Sequence, residues 1–537
     1  MSRSVGGYLA ELLSINGIDT VFGIPGVHNL ELYRGLAATD IRHVLVRHEQ
    51  GAGFAADGFA RMSGRPAAAF VISGPGLTNI MTAVAQAYSD SVPLLVVASA
   101  PVRASFTKQW GVLHELNDQA ALAGGVFGVA RSARSAEDVR DHLRLCLSSL
   151  RTGRPRPAYL EIPLDVLAEQ TSLEAHRFAD APPLPQPAAG SIDAAARLLG
   201  GAARPLIIAG GGARRAAPEL RRLVDTLDCP LVTTAAGKGV LPDSHRASFG
   251  ASLPYPSVQK LILDADVVLA VGTELSETDV YTATRLPLGG RLIRIDVDPV
   301  KLADQYGAEV CLWSDAGPAL HSIHQALLRT HGAAARPGWL TALGGSAAIR
   351  SALQSGLDPK ARAWWSALRA IKAALPEDGV VFSDMTQIAY CGNYAYPVEN
   401  PGQWFHPSGY GTLGFALPAA LGAKISSPSR SVIALAGDFG LQFTVAELMT
   451  AVEASLSLPI VVWNNAALGQ IRDDMVAADI PQLGVIARNP DFVALARACG
   501  AEGHRVRDPA ALSEAVRTAQ TKAGPTLIEV TAAGFDQ

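Results

Sequence analysis

Short apolar runs of about five residues recur along the whole chain and are separated by stretches with a helical pattern. Continuous apolar runs of this kind are typical of strands that are buried on both faces of a parallel sheet. The chain is therefore expected to be an α/β protein. The runs are Ala67–Ser73, Pro93–Ser99, Pro205–Ala209, Pro230–Thr234, Val267–Val271, Leu292–Val297, Val380–Ser383, Ser431–Ala436, Pro459–Trp463 and Thr526–Val530.

Two breaks divide these runs into three groups. The first is the proline-dense stretch from Pro182 to Pro187, which can continue neither a helix nor a central strand. The second is a looser stretch from Ala333 to Leu357, rich in Ala, Gly and Ser. We therefore predict three doubly wound parallel-sheet domains at residues 1–180, 190–335 and 358–537.

Composition excludes several classes of protein. Hydrophobic residues make up 49% of the chain and charged residues only 18%, which argues against disorder. The 45 Lys and Arg residues nearly balance the 49 Asp and Glu residues, so no basic surface for nucleic acid or an anionic membrane is expected. No uncharged apolar run approaches the roughly 18 residues that span a bilayer. Five scattered cysteines without CxxC spacing argue against a disulfide framework or zinc site and suggest the cytoplasm.

Polar residues follow two neighbouring strands of the third domain. Asp438 comes after the run Ser431–Ala436, and Asn465 follows Pro459–Trp463, 27 positions later. Ligands of open α/β sheets bind at the carboxyl ends of the strands, so these side chains are expected side by side. A carboxylate and an amide oxygen suit Mg²⁺ or Ca²⁺, although each pair of residues alone would be ordinary turn chemistry.

The segment from Gly437 to Asn465 resembles the GD-to-NN signature of the thiamine-diphosphate-dependent enzymes. This resemblance extends over essentially the whole chain. It implies that Asp438, Asn465 and the backbone carbonyl of Ala467 bind Mg²⁺, which holds the cofactor's diphosphate. It also implies diphosphate contacts from the residues around Asp438, which are Gly437, Phe439 and Gly440.

Two more segments of the third domain resemble loops of this family. The stretch from Ser408 to Gly414 is similar to the loop around the aminopyrimidine ring. The resemblance implies that the carbonyl of Gly411 accepts a hydrogen bond from the cofactor and that Leu413 holds the cofactor bent. The stretch from Asp384 to Gln387 resembles a loop that reaches the diphosphate, which assigns Thr386 and Gln387 to cofactor binding.

In the first domain, Glu49 lies in the motif Arg47-His48-Glu49-Gln50-Gly51-Ala52. A Glu that opens a helix is by itself most often a surface residue favoured by the helix dipole. The family resemblance implies instead that Glu49 bonds the pyrimidine ring and activates the cofactor, as a carboxyl in a closed pocket can share a proton. Two further loops look like cofactor loops of the family and contain Gly26, Gly74 and Asn79.

The family resemblance also implies an oligomer. In relatives one site combines the first domain of one subunit with the third domain of another, so we expect a homodimer or homotetramer. The central segment Gly210-Gly211-Gly212 resembles the domain that binds FAD in acetolactate synthases. Three successive glycines are not the GxGxxG pattern, and we expect FAD not to bind.

The family resemblance implies decarboxylation of a 2-oxo acid, with His28, His114 and Gln470 near the reacting carbon. Val27 and the single His114 differ from the pattern of pyruvate decarboxylases. The segments around His28, His114 and Gln470 look closer to 5-guanidino-2-oxopentanoate decarboxylases, which makes that cationic acid the leading candidate substrate. Gln470, Asp473 or Asp474 could meet its guanidinium, unless the two Asp residues form a solvated face.

Two alternatives remain open. One is an acetolactate-synthase-like carboligase that joins 2-oxo acids or aldehydes. The other is a homologue that binds the cofactor without turnover, against which the intact Glu49, Asp438 and Asn465 argue.

Overall fold

The computed structural model describes residues 2–281, 285–331, 338–531 and residue 535. Three parallel sheets, each flanked by helices, make up most of this part of the chain, together with one two-stranded antiparallel pair. The predicted α/β class with three parallel-sheet domains is confirmed. Within the described residues, no helix is both long and apolar enough to cross a bilayer.

The first domain contains a six-stranded sheet and the small antiparallel pair β1 and β8. Its strands are β1 (Arg3–Ser4), β2 (Thr20–Gly23), β3 (Arg42–Leu45), β4 (Ala67–Val71), β5 (Leu94–Ala100), β6 (Val129–Ser132), β7 (Ala158–Pro163) and β8 (Gln170–Thr171). Its helices are α1 (Val5–Ile15), α2 (Leu30–Leu36), α3 (Glu49–Ser63), α4 (Pro75–Ser89), α5 (Gln119–Gly124), α6 (Ala136–Ser149) and α7 (Leu164–Ala168).

The central domain has a five-stranded parallel sheet. Its strands are β9 (Pro205–Ala209), β10 (Leu231–Thr233), β11 (Val267–Val271), β12 (Arg291–Asp296) and β13 (Val310–Trp313). Its helices are α8 (Ala189–Gly200), α9 (Ala217–Leu227), α10 (Pro256–Asp264), α11 (Glu277–Val280), α12 (Pro299–Leu302) and α13 (Ala316–His331), followed by α14 (Trp339–Leu343) and α15 (Ala347–Ser355).

The third domain has a second six-stranded parallel sheet. Its strands are β14 (Val380–Ser383), β15 (Trp404–Phe405), β16 (Val432–Gly437), β17 (Leu458–Asn464), β18 (Glu502–Val506) and β19 (Pro525–Thr531). Its helices are α16 (Pro359–Ala374), α17 (Gln387–Ala395), α18 (Ala416–Ser426), α19 (Asp438–Phe443), α20 (Glu447–Glu453), α21 (Gly469–Ala477), α22 (Phe492–Ala498) and α23 (Pro509–Ala519).

The first and third sheets have the same topology. Their strand orders are β3-β2-β4-β5-β7-β6 and β15-β14-β16-β17-β19-β18, so each sheet places its strands in the same relative sequence. The central sheet, β10-β9-β11-β12-β13, starts the same way but lacks the final reversal. The first and third domains therefore repeat one architecture, and their strand exits place loops at equivalent positions.

One hydrophobic core joins the first and third domains. It contains residues from α3 and α4 as well as from α18, β16 and β17. Helices α3 and α18 approach so closely that a Cβ on Gly58 would lie 1.9 Å from the Ala419 carbonyl oxygen. A Cβ on Gly422 would lie 1.8 Å from the carbonyl oxygen of Ala55. Only glycine permits this backbone approach, and it fixes the position of the helix that begins with Glu49.

The two predicted breaks differ in structure. Residues 172–188, including the proline run, form neither helix nor strand. The second break begins at residues 332–337, which lie outside the described part, but α14 and α15 follow within it. The prediction treats the alanines of this stretch as part of a linker. Alanine is a strong helix former, which explains why helices form here. The exact domain boundaries remain predictions.

Candidate functional site

Glu49 is the first residue of α3, with His48 as the N-cap whose ring nitrogen accepts the backbone N–H of Gln50. The Glu49 side chain is buried, with 9% of the residue exposed. Its Oε2 accepts a hydrogen bond from Nδ2 of Asn79, at 3.0 Å, in the first turns of α4. The structure thus brings together two of the predicted residues, and within the described part of the chain the other carboxylate oxygen of Glu49 has no hydrogen bond.

His28 and His114 form a pair in the same domain. Their ring centroids are 4.7 Å apart in an edge-on arrangement, and Nδ1 of His28 lies 2.6 Å from Oγ of Ser73. Burial, and after it the charge of His114, lowers the pKa of His28. Both histidines were predicted near the reacting carbon, but the sequence carries no sign of their pairing, because they lie on loops 86 positions apart.

Two predicted glycines shape the loops beside this pair. Gly26 donates its N–H to Oδ1 of Asn29 at 2.8 Å. Gly74 has a φ of +66°, and a Cβ there would lie 2.5 Å from the carbonyl oxygen of His114. Its N–H donates to the buried side chain of Gln119 at 3.0 Å. Glycine at position 74 is therefore needed for the histidine loop to approach.

Asp438 opens α19 at the end of β16 and is 2% exposed. Burial raises the pKa of its carboxyl, while the Asn489 amide and nearby backbone N–H groups lower it. Nδ2 of Asn489 donates to Oδ2 of Asp438 at 2.6 Å and to Oδ1 of Asn464 at 2.9 Å. Sequence reasoning missed Asn489, which lies 51 positions from Asp438 and outside the signature.

The other predicted metal ligands follow β17. Oδ1 of Asn465 accepts the N–H of Ala467 at 3.1 Å, and Ala466 between them has a φ of +51°. The backbone N–H of Ala466 is among the groups that lower the pKa of the Asp438 carboxyl, so Asp438 lies beside this loop. Among the described residues no cluster of three His, Cys, Asp or Glu could hold a metal. The site has one carboxylate with neutral oxygens, a set that fits Mg²⁺.

The predicted diphosphate residues surround Asp438. Thr386 is the N-cap of α17, and a Cβ on Gly437 would lie 2.9 Å from its Oγ1. Gly440 faces the carboxylate of Asp384, and Phe439 is half-buried. The two glycines therefore let the loop after β16 pack closely against the loop after β14.

Gln387 lies next to the loop that carries the predicted metal ligands Asn465 and Ala467, called the metal loop below. Its Nε2 donates to Oδ2 of Asp473 at 2.7 Å, whereas its Oε1 is buried with no hydrogen-bond partner among the residues that the structure describes. A Cβ on Gly469 would lie 2.5 Å from this oxygen and 2.6 Å from Nδ2 of Asn465. A buried, unpaired oxygen beside Asn465 fits a neighbouring cation or a water that it holds.

Asp384 supports the loop that was predicted to hold the pyrimidine ring. Its carboxylate accepts the N–H groups of Gly414 at 3.1 Å and of Met385 at 2.8 Å, and burial raises its pKa to about 6. Gly411 has a φ of +74° and Leu413 is half-buried in this loop. Asp384 was not predicted as a site residue, although its place directly after a buried strand is a usable signal.

Within the chain, this loop lies away from Glu49. Thr412 donates to Oε1 of Gln86 and Gly409 donates to Oδ1 of Asp90, both at the C-terminal end of α4. Gln86 and Asp90 are seven and eleven positions beyond Asn79, the partner of Glu49. The helix rise makes this about 10 to 16 Å. The two halves of the predicted site thus lie at opposite ends of α4.

Comparison with known proteins identifies the family. Three models of thiamine pyrophosphate enzymes match: the N-terminal TPP binding domain at residues 3–122, the central domain at 192–323 and the C-terminal TPP binding domain at 384–530. The chain belongs to the thiamine pyrophosphate enzymes. The predicted family and class of enzyme are thereby confirmed.

Individual relatives of this thiamine pyrophosphate enzyme cover nearly its whole length. A probable 2-ketoarginine decarboxylase of Pseudomonas aeruginosa is 46% identical over 98% of this chain and 94% of its own. The large subunit of acetolactate synthase isozyme 1 of Escherichia coli is 28% identical over 97% and 93%. The acetolactate synthase of Mycobacterium bovis is 30% identical over 91% and 81%.

The helix after the metal loop separates the three residues predicted to meet a substrate cation. Gln470 donates to Oδ1 of Asp474 at 2.9 Å, and this pair lies on the exposed side of α21. Asp473 is held by Nζ of Lys360 at 2.7 Å as well as by Gln387. Asp473 therefore has a cation and an amide as partners, whereas Asp474 in this thiamine pyrophosphate enzyme has a neutral amide.

In the central domain of this thiamine pyrophosphate enzyme, the loops after the neighbouring strands β9 and β11 are in direct contact. The N–H of Gly212 donates to the carbonyl oxygen of Gly272 at 3.1 Å. A Cβ on Gly210 would lie 2.3 Å from the same oxygen. The absence of FAD stays a prediction.

His406 gives this thiamine pyrophosphate enzyme a specific pH dependence of stability. Burial, with the charge of Arg61, lowers its pKa to about 3, and Nδ1 contacts Oγ of Ser383 at 2.9 Å. The unfolded chain therefore binds a proton below about pH 6.5 that the folded chain does not. The free energy of unfolding should fall by up to about 1.4 kcal/mol per pH unit as the pH drops from 6.5.

Urea unfolding between pH 7 and pH 5 measures this slope. His406→Gln keeps a hydrogen-bonding side chain that does not titrate, so its slope should be shallower than that of the wild type by nearly one proton. His176→Gln, at an exposed position, is the matched control and should leave the slope unchanged. Equal slopes for the wild type and His406→Gln would contradict the prediction.

Proposed function

We propose that this protein is a thiamine-diphosphate- and Mg²⁺-dependent decarboxylase whose substrate is 5-guanidino-2-oxopentanoate. The observation that carries the proposal is the buried Glu49 held by Asn79 in the same domain as the His28–His114 pair. The relative named as a probable 2-ketoarginine decarboxylase supports the substrate, since 2-ketoarginine is 5-guanidino-2-oxopentanoate.

Cofactor and metal binding are assigned to the third domain. Asp438, the side-chain oxygen of Asn465 and the carbonyl of Ala467 would hold Mg²⁺, whose charge neutralises the diphosphate. The residues that would line the diphosphate and the pyrimidine ring are Thr386, Gln387, Gly437, Phe439, Gly440, Gly411 and Leu413. When bound, thiamine diphosphate supplies a carbon nucleophile and an electron sink for the loss of CO₂.

Glu49 and the histidine pair move protons. The carboxyl of Glu49 has one oxygen held by Asn79, so its other oxygen is free to share a proton with the pyrimidine ring. The rings of His28 and His114 lie edge-on to each other, with their centroids 4.7 Å apart, and the lowered pKa keeps His28 neutral near pH 7. A proton donor at the reacting carbon favours release of an aldehyde over addition to a second carbonyl. His28, His114 and Gln470 are therefore proposed to line the substrate.

A carboligase like acetolactate synthase is the second candidate, favoured by the identity of about 30% to such enzymes over most of the chain. Parallel incubations with 5-guanidino-2-oxopentanoate and with pyruvate separate the two. The proposal expects faster CO₂ release from the guanidino acid. Acetolactate formed from pyruvate, with no reaction of the guanidino acid, would support the second candidate.

Asp474 is proposed to bind the guanidinium of the substrate. Burial, and after it the charges of Tyr281, Asp384 and Asp474, raise the pKa of Tyr390. Asp474 is therefore close enough to Tyr390 for its charge to act on that hydroxyl. Tyr281 comes from the central domain, so residues of two domains lie around Tyr390. A carboxylate with an aromatic ring nearby is a suitable environment for a guanidinium.

Replacing Asp474 with Asn should lower kcat/KM for the guanidino acid by about tenfold, the value of one charge-assisted hydrogen bond. A neutral straight-chain 2-oxo acid of similar length should react as well as before, because it makes no such contact. Asp473→Asn is the matched control. Since Asp473 pairs with Lys360, its loss should not change the preference between the two acids. An unchanged preference in Asp474→Asn would contradict the assignment.

Two copies of the chain are proposed to share each site, as a homodimer or homotetramer. The pyrimidine loop and Glu49 lie at opposite ends of α4 in one chain, and a single pyrimidine ring is too small to touch both. A second copy can bring its own loop to Glu49. We also propose a cytoplasmic location, which the five unpaired cysteines support.

A further inference from the structure

Glu447 is a buried carboxylate at the start of α20, with 1% of the residue exposed. Its Oε1 accepts the backbone N–H of Arg47 at 3.1 Å and that of His48 at 3.0 Å. Its Oε2 accepts the hydroxyl of Thr450 at 2.7 Å. A side chain of the third domain thus binds the two backbone groups directly before Glu49 in the first domain.

The first domain is shaped to receive this carboxylate. A Cβ on Gly51 would lie 2.2 Å from Oε1 of Glu447, so only glycine fits at this point of α3. The side chain of Arg47 also pairs with Glu453, at 2.6 Å, but this pair is partly exposed. The charge of Glu447 lies at the N-terminal end of α3, where a negative charge interacts favourably with the helix dipole.

Glu447 also belongs to the segment that carries the metal ligand Asp438, nine positions earlier. Between them, Thr444 donates its hydroxyl to the carbonyl oxygen of Gly414 at 2.8 Å, next to Leu413 of the pyrimidine loop. The short stretch 438–447 therefore contacts the metal loop, the pyrimidine loop and the backbone in front of Glu49.

We propose that Glu447 is a positioning residue, which holds the start of α3 so that Glu49 is aimed at the cofactor's pyrimidine ring. This inference rests on the proposed role of Glu49 in thiamine chemistry. Without Glu447 the N–H groups of Arg47 and His48 lose their shared acceptor, and the first turn of α3 can shift. A displacement of about 1 Å at a reacting group is enough to lower a rate by about 100-fold.

The rate of deuterium exchange at the reactive carbon of bound thiamine diphosphate depends on the orientation of Glu49. It is measured with Mg²⁺ and without substrate. Glu447→Ala removes the acceptor from the third domain. Gly51→Ala displaces the same carboxylate from the first domain while leaving it chemically intact. Both variants should exchange about 10- to 100-fold more slowly than the wild type, while their affinity for thiamine diphosphate stays near that of the wild type.

Two further variants serve as controls. Glu447→Gln keeps an oxygen that can accept both N–H groups and should retain most of the exchange rate. Glu453→Gln removes only the exposed partner of Arg47 and should match the wild type. Wild-type exchange in Glu447→Ala and Gly51→Ala would overturn the proposal. The proposal would also be overturned by a second result. In it, Glu447→Ala loses affinity for thiamine diphosphate by as large a factor as it loses exchange, its thermal stability falls, and Glu447→Gln is no better.

The experiment separates this inference from the proposed substrate. Exchange needs the cofactor but no 2-oxo acid, so a wrong substrate assignment leaves the result unchanged. Absence of exchange in the wild type would overturn both the positioning role and the thiamine chemistry itself.

Discussion

In a Glu49→Gln variant the rate of CO₂ release from the 2-oxo acid is expected to fall by about 100- to 10,000-fold, which is what a positioned acid or base contributes to a rate. The amide has nearly the same shape and can still accept the hydrogen bond from Asn79. It cannot take up and return a proton, so the cofactor would bind but not be activated. Steady-state assays with saturating thiamine diphosphate and Mg²⁺ measure the effect.

The control for Glu49→Gln is cofactor affinity. Calorimetric titration should give the variant an affinity for thiamine diphosphate close to that of the wild type, because the diphosphate and metal residues lie in the third domain. A variant that binds the cofactor and still releases CO₂ at the wild-type rate would contradict the assigned role.

An Asp438→Asn variant is expected to lose Mg²⁺-dependent binding of thiamine diphosphate. Asp438 is the one carboxylate in the proposed ligand set, so its neutral replacement removes the charge that balances the cation. Loss of a residue that only hydrogen-bonds a metal ligand lowers metal affinity by roughly 10- to 100-fold. The affinity of Asp438→Asn for thiamine diphosphate should fall by more than this. Titration of thiamine diphosphate at fixed Mg²⁺ measures it. Asp378→Asn, an exposed carboxylate before β14, should bind normally.

Mixing the two inactive variants shows whether the sites are shared between chains. If Glu49 and Asp438 of one site come from different subunits, a dimer with one copy of each variant has one intact site. Equal amounts should then recover about a quarter of the wild-type activity through random pairing. No recovery, in a mixture shown to exchange subunits, would place both residues of a site in one chain.

Most interior strands were predictable because continuous burial gives them a continuous apolar run. The runs Pro205–Ala209, Val267–Val271 and Val380–Ser383 are strands with those same bounds. The edge strands β6 and β18, which are partly exposed, were missed. The buried interior strands β2 and β7 of the first sheet were missed as well. An edge strand has no continuous apolar run to identify it.

Candidate site residues were predictable where they directly follow a buried strand. Asp438 and Asn465 follow buried strands, and the structure puts Asp438 beside the loop of Asn465. Contacts between distant segments gave no local signal. Glu447 bonds the backbone of residues 400 positions away, and His28 meets His114 across two loops. Such pairings depend on how distant segments pack in the folded chain, which periodicity and composition do not encode.

The equal treatment of Asp473 and Asp474 is another limit of sequence reasoning. The two are adjacent on one helix, yet Lys360 from α16 neutralises Asp473 and leaves Asp474 with a neutral partner, Gln470. That difference arises from a residue more than a hundred positions away. Only the folded chain distinguishes a structural ion pair from a carboxylate available to a substrate.

The most direct test of the central claim is the product balance of the purified protein. Incubated with thiamine diphosphate, Mg²⁺ and 5-guanidino-2-oxopentanoate, it should release one 4-guanidinobutanal for each CO₂, and removal of the cofactor should stop both. No CO₂ from this acid or from any of a broad panel of 2-oxo acids would contradict the account.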